Sequence, residues 1–290
     1  MFFSVIIPTY NRAHLIEKTI KSLLNQSFEN FEIIVVDDGS TDNTEKVVGS
    51  IDNRQVKYFK KKNAERASAR NFGAQQAKGD YLNFFDSDDL AYPNHLKVAH
   101  DFIKSKEVKV FHLAFDIKNE NGEEIRKPTP IFDINKQLAT GNVLSCNGVF
   151  IDRIIALSNP FNEDRLLSAS EDYLLWLGIA AQYEICNVNT ITSTIVEHGE
   201  RSVLSIEPNS LIKRKELFLD YLKVDLNILK SYKDSVSALE SSTYSYLALH
   251  LMMAGFKKEG IRFMAKSIAS SFSYVFSKRF LVTIKYIITD

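Results

Sequence analysis

The sequence predicts an α/β protein: a mixed, mainly parallel sheet flanked by helices, with a helical C-terminal tail. Short apolar runs alternate with stretches of helical spacing through residues 1–92. Those runs are almost continuously apolar, as strands are when helices cover both faces of a sheet. From residue 209 onward the strand signal stops and only helical spacing remains.

The elements follow in order. Residues 2–7 form a β-branched run stopped by Pro8 and the polar turn Thr9-Tyr10-Asn11-Arg12. Leu15, Ile16, Thr19, Ile20, Leu23 and Leu24 recur at helical spacing, predicting a helix over 13–24. A second strand, 31–36, ends in Asp37-Asp38-Gly39-Ser40 and a helix over 41–48 follows. A weaker strand at 56–59 and a helix at 67–77 lead to a fourth strand from Gly79. That strand runs into Asp86-Ser87-Asp88-Asp89.

Pro93 then opens a helix to about residue 105, and 108–115 and 144–151 read as strands. Residues 119–122 are a turn, 127–130 an exposed loop and 161–164 a polar loop. Glu171-Asp172 begin an apolar helix, where carboxylates suit the helix dipole. A strand over 183–196 ends in Glu197-His198-Gly199-Glu200-Arg201-Ser202. Helices at 211–232, 237–254, 259–271 and 279–289 complete the chain, with Gly255 as a stop. The pair around Gly255 resembles one repeat of a helical-hairpin array, and one pair is not a solenoid. The expected division is 1–208 for the α/β domain and 209–290 for the tail.

Composition excludes several classes. Formal charge is zero, so nothing global argues for nucleic acid as a partner. Cys146 and Cys186 lack metal spacing and read as free thiols of a reducing cytoplasm. The N-terminus has no signal-peptide pattern. The uncharged run 241–256 is shorter than the ~20 apolar residues of a membrane span. A cytoplasmic protein, soluble or attached to a membrane surface, is expected.

Ligands of parallel sheets bind at the carboxyl ends of the strands. Thr9-Tyr10, Asp37-Asp38 and Asp86 to Asp89 are three polar strand ends at that edge. One acidic turn is ordinary turn and cap chemistry; three together point to a site. Asp86 and Asp88, two apart, would face the same way on an extended segment. With phosphate oxygens they suit Mg²⁺ or Mn²⁺, and His198 could add a nitrogen ligand. Arg66 and Arg70 stand near a helix start, placed to meet phosphates or simply to line a solvated face. Asp172 is the candidate general base, because the adjacent Glu171 raises its proton affinity; it serves equally well as a helix cap. A phosphoacceptor receiver domain would end at about half this length and leave the acidic cluster of strand four unexplained. No Gly-x-Gly-x-x-Gly or P-loop sequence is present. The Gly-rich basic loop of a sugar-nucleotide pyrophosphorylase is also missing after strand one.

Pro8-Thr9-Tyr10-Asn11-Arg12, Val35 to Asp42, Ala69-Arg70-Asn71-x-Gly73, Ala77 to Asp80, Asp86-Ser87-Asp88-Asp89, Glu171-Asp172-Tyr173 and the late His198 form an ordered set. In that order and spacing the set resembles the family 2 nucleotide-sugar glycosyltransferases of GT-A fold, over about residues 1–205. The resemblance implies an inverting, metal-dependent single displacement from a nucleoside-diphosphate sugar, UDP being the family's commonest nucleotide. The acceptor would be a saccharide or lipid-linked saccharide of glycan synthesis. Residues 1–92 would be the nucleotide-binding half and 93–208 the acceptor half. Thr9, Tyr10, Arg12, Asp38, Arg70, Asp86 and Glu171 would contact substrate, with Asp86 at the ribose. Asp88 and His198 would hold Mn²⁺ or Mg²⁺, Asp89 would be structural, and Asp172 would be the base.

Two positions depart from the family pattern: Glu65 and Gly178 stand where members often carry Gly and Arg. They prompt an alternative, a non-catalytic nucleotide-sugar-binding or scaffold protein of the same fold. The stretch 255–290 has seven basic residues against two acidic ones, net +5, interleaved with Phe and Tyr. Such a tail suits an anionic membrane surface, or a core with a solvated charged face.

Overall fold

The computed structural model describes residues 1–126, 131–199 and 207–288. Four strands, β1 (Phe3–Thr9), β2 (Phe31–Asp37), β3 (Val56–Lys60) and β4 (Tyr81–Phe84), form a parallel half-sheet in the order β3-β2-β1-β4. Parallel neighbours need crossovers. Helices α1 (Ile16–Leu24), α2 (Thr44–Gly49) and α3 (Glu65–Gln76) supply them.

The second half contains β5 (Leu90–Ala91), α4 (His95–Ser105), β6 (Val110–Asn119), β7 (Glu124–Arg126), α5 (Ile134–Gln137) and β8 (Val149–Asp152). It continues through α6 (Arg153–Ser158), α7 (Glu171–Ala180) and β9 (Ile185–Glu197). β8 runs antiparallel between β4 and β6, and β9 lies parallel to β6, so the sheet is mixed. The two-residue β5 and three-residue β7 pair with β9 and β6, too short to show a period in sequence. Of the expected strand 144–151, only the end is extended; Cys146–Gly148 is a 3₁₀ turn.

Side-chain alternation builds a core on each face. Val5 and Ile7 join Ile33 and Val35 on one side, while Ile6 joins Ile34 and Val36 on the other. Gly79 is required where the chain enters β4: a Cβ there would lie 2.5 Å from the Ser4 amide nitrogen. Cys146 is buried, Cys186 half-buried, and both are free thiols.

The tail consists of α8 (Pro208–Val224), α9 (Leu226–Ser231), α10 (Val236–Met253), α11 (Lys257–Ser270) and α12 (Lys278–Ile288). The single helix expected over 211–232 breaks at Asp225, whose carboxylate caps the Asn227 and Ile228 amides. Gly255, at φ +82°, follows α10 as expected. Phe218, Leu219 and Leu222 of α8 enter the core that holds Trp176 and Leu177 of α7. Among the described residues no helix is long and apolar enough to cross a membrane. The 127–130 loop and Glu200, Arg201 and Ser202 lie outside the described residues.

Candidate active site

The polar strand ends meet at one edge. Thr9 and Asp37 are register partners, and the Asp38 amide donates to the Thr9 carbonyl at 2.8 Å. Asp37 accepts from the Ser40 amide and the Tyr58 hydroxyl. Asp38 accepts from Lys61 Nζ at 2.7 Å and from the Ala64 amide at 3.0 Å. Tyr10 is exposed; the Arg12 amide donates to Thr44 Oγ1 at 3.1 Å. The Asn11 carboxamide accepts from the Thr41 amide, joining the two turns.

The acidic turn after β4 separates its carboxylates. β4 ends at Phe84, so Asp86 and Asp88 sit on a turn and not on an extended segment. This corrects the expectation that they face one way. Asp86 Oδ1 meets Arg70 Nη2 at 2.7 Å, whereas Asp88 Oδ2 lies 3.0 Å from His198 Nε2. Asp89 is buried and structural: it accepts from Asn147 Nδ2 at 2.6 Å and from the Val196 amide at 2.9 Å. Asn147 Oδ1 also accepts from the Asp86 amide at 2.8 Å, so one buried carboxamide clasps both ends of the turn.

Arg70 carries the link to the second half. Its side chain is 2% exposed, lies over the Phe161 ring, and donates from Nη1 to Glu171 Oε1 at 2.9 Å. The expected phosphate ligand thus bridges two carboxylates, and Glu171 is turned inward to meet it. Asp172, next along α7, is half-buried and accepts from Asn142 Nδ2 at 3.0 Å. Burial and then the Glu171 carboxylate push its pKa up to about 6, against the pull of Arg70. That value suits a group that accepts a proton near neutral pH.

Both helices of this link start with strained backbone. Glu65, the first residue of α3, has φ +74°, and Ala169, just before α7, has φ +66°. Left-handed geometry disfavours any residue with a Cβ, which accounts physically for a glycine preference at position 65. Gly178 has no such need: a Cβ there would meet nothing within 4 Å.

Asp88 and His198 converge as one carboxylate oxygen and one imidazole nitrogen, both good ligands for a divalent ion. Among the described residues no set of three or more His, Cys, Asp or Glu groups could hold a metal. The pair fits an ion whose remaining ligands come from a bound diphosphate.

The family model described as "Glycosyl transferase family 2" matches residues 4–157. The chain belongs to that family. An uncharacterized glycosyltransferase of Rickettsia conorii is 28% identical over 260 residues, covering 84% of this chain and 42% of the relative. The chain thus spans under half the length of such relatives. A UDP-Glc:α-D-GlcNAc-diphosphoundecaprenol β-1,3-glucosyltransferase of Escherichia coli is 31% identical over 187 residues, 64% of this chain and 72% of that one. Staphylococcus aureus TarS residues 1–349, in complex with UDP-GlcNAc, superposes with a TM-score of 0.62 at 19% identity, covering 94% of this chain and 91% of that one. A mannosyltransferase from Pyrobaculum calidifontis, in complex with GDP-Man and Mn²⁺, gives 0.61 at 17%, covering 98% and 84%. These two likenesses establish the fold, which is GT-A.

Sequence reasoning missed Asn142 and Asn147. Asn147 lies inside the segment read as a strand and Asn142 just before it, and neither has a local pattern to mark it. Their partners lie 30 and 58 positions away, so only the fold brings them together.

Proposed function

We propose that this glycosyltransferase moves a sugar from a nucleoside-diphosphate donor, UDP being the first to test, to a hydroxyl of a saccharide or lipid-linked saccharide, with inversion. The observation that carries the reading is the continuous link Asp86–Arg70–Glu171, which sets Asp172 beside the acidic strand edge. Residues 1–92 take the donor and 93–208 the acceptor. The polar edge of Thr9, Tyr10, Arg12 and Asp38 holds the nucleoside. Asp86, oriented by Arg70, meets the ribose.

Asp172 takes the acceptor hydroxyl's proton on its carboxylate as that oxygen attacks the anomeric carbon and the bond to the diphosphate breaks. Asn142 fixes the rotamer of the base, and Glu171 keeps its proton affinity near neutrality. Arg70 pairs with Glu171, which leaves Asp172 as the carboxylate offered to the acceptor. Asp88 and His198 would hold Mn²⁺ or Mg²⁺, which when bound offsets charge on the departing nucleoside diphosphate.

α12 supports a peripheral membrane placement. Leu281, Val282 and Ile288 are exposed on the same face as Lys278 and Lys285, and Phe272 and Phe276 are exposed just before it. An acceptor anchored in the cytoplasmic leaflet would fit that placement.

The test is turnover of sugar nucleotides with Mn²⁺ against an acceptor panel. Asp88→Ala and Asp172→Asn should each abolish transfer. Full activity in both variants would falsify the assignment. Metal-dependent nucleotide binding without turnover on any pair would favour the non-catalytic reading.

A further inference from the structure

We propose that Lys215, His250 and Arg279, gathered around the Tyr246 ring beside the base, together with Arg214 next to Lys215 on the same helix, bind a phosphate group of the acceptor. This rests on the transferase reading and narrows its acceptor class. The tail helices α8, α10 and α12 supply all four groups. Lys215 Nζ lies 4.9 Å and Arg279 Cζ 6.0 Å from the Tyr246 centroid, and the His250 ring stacks at 4.0 Å. Each group keeps part of its surface open to solvent.

The position is what ties the cluster to catalysis. Lys215 Nζ donates to Ser170 Oγ at 2.8 Å, and Ser170 immediately precedes Glu171-Asp172. Arg279 Nη1 is oriented by the Ser242 carbonyl at 3.1 Å and by Ser245 Oγ at 2.7 Å. Arg214 Nε is buried with no hydrogen-bond partner among the described residues. Among those residues the four groups form no salt bridge.

Gathered cations repel one another, and part of this shows in the titration directions. Burial brings the Lys215 ammonium down to about 8; Asp172 and Glu171 oppose this, while Arg214 and Arg279 add to it. Burial, then Arg279 and Lys215, lowers His250. Glu171 and Asp172 offset part of this charge from a distance, but Arg70 already pairs with Glu171, and neither carboxylate forms a salt bridge with the cluster among the described residues. A phosphoryl group would relieve the cluster, because Lys and Arg donate charge-assisted hydrogen bonds to its oxygens. A sugar whose phosphate rests here would present a hydroxyl at Asp172. The phosphate could be the linkage of a lipid-borne saccharide or belong to a phosphate-bearing polymer.

The experiment titrates the full chain with decyl diphosphate, inorganic pyrophosphate and the neutral decyl maltoside by calorimetry in EDTA. No sugar identity enters the result. Decyl diphosphate should bind, weakening by at least about tenfold in Lys215→Met and Arg279→Met. Lys215→Arg and Arg279→Lys should retain binding, which separates lost charge from a damaged fold. Asp88→Ala should leave it unchanged. Decyl diphosphate tighter than pyrophosphate supports a lipid-linked phosphate; equal affinity supports a polymer phosphate. Three results overturn the proposal: no binding, binding lost only in Asp88→Ala, or equal uptake of decyl maltoside. UDP binding with Mn²⁺, measured separately, tests the transferase reading and is unaffected by these outcomes.

Discussion

Arg70 and Glu171 are 101 positions apart in the chain and meet at 2.9 Å, each only 2–3% exposed. One stands on α3 in the parallel half of the sheet and the other opens α7. A buried pair of this kind contributes little net stability, because desolvation offsets most of its attraction. Its contribution here is geometric. The carboxylate that precedes Asp172 is fixed to the guanidinium that orients Asp86.

Removing the guanidinium leaves two carboxylates facing each other. Arg70→Met should destabilise the fold by about 3–5 kcal/mol. Arg70→Lys should recover part of the loss, since a single ammonium does not reproduce the two-pronged bridge. Urea denaturation followed by tyrosine and tryptophan fluorescence measures both. Equal stability of Arg70→Met and the parent would show that the bridge does not matter.

Asp172→Asn should lower transfer by about 10²–10⁴-fold and leave metal-dependent nucleotide binding intact. In the parent, activity should rise as pH passes through about 6, the value burial and Glu171 impose. The stability effect has the opposite sense. The folded protein holds the Asp172 proton more tightly than the unfolded chain, so that stability is present below about pH 4 and lost as pH rises through 6. Asparagine does not ionise, so the variant should melt higher than the parent at pH 7.5. That advantage should vanish below about pH 4. Melting curves at the two pH values decide it.

Asn147→Ala strips the acidic turn of both clasps. The Asp86 amide and Asp89 Oδ2 each lose this hydrogen bond, at a cost of up to about 1–3 kcal/mol where the group is buried. Thermal melting should fall accordingly, and nucleotide binding should weaken as Asp86 and Asp88 lose their turn. A variant with unchanged melting and binding would place the turn's support elsewhere.

Glu65→Gly should raise the melting temperature slightly. Release of a left-handed Cβ is worth about 1–2 kcal/mol, against somewhat less lost through chain entropy. Gly178→Ala should stabilise by about 0.5–1 kcal/mol, since the added methyl meets open space on a helix. Calorimetric scans resolve both, and neither substitution should alter transfer if the two positions are only structural.

The exposed face of α12 predicts binding to anionic vesicles at low ionic strength and release as salt screens Lys278 and Lys285. Phe276→Ser with Leu281→Ser should remove the binding without lowering the melting temperature, as both side chains are already in solvent. Vesicle sedimentation with anionic and neutral lipid reads the outcome.

Much of this protein was legible in residue order alone. Strand and helix periods are local, so the alternating elements of residues 1–92 and the helical tail follow from spacing. The three polar strand ends are also local, as parallel strands must finish at one edge. The motif order from Thr9 to His198 carried the family. Tertiary structure decided what those residues touch. The turn after Phe84 sends Asp86 to Arg70 and Asp88 to His198, although a straight segment would have aimed them together. Asn147, Asn142 and Lys215 carry no pattern, and each acquires a role only from a partner brought near by folding. Periodicity reports which face of an element is buried; hydrogen bonds between distant loops depend on where the sheet places them, which no local window contains.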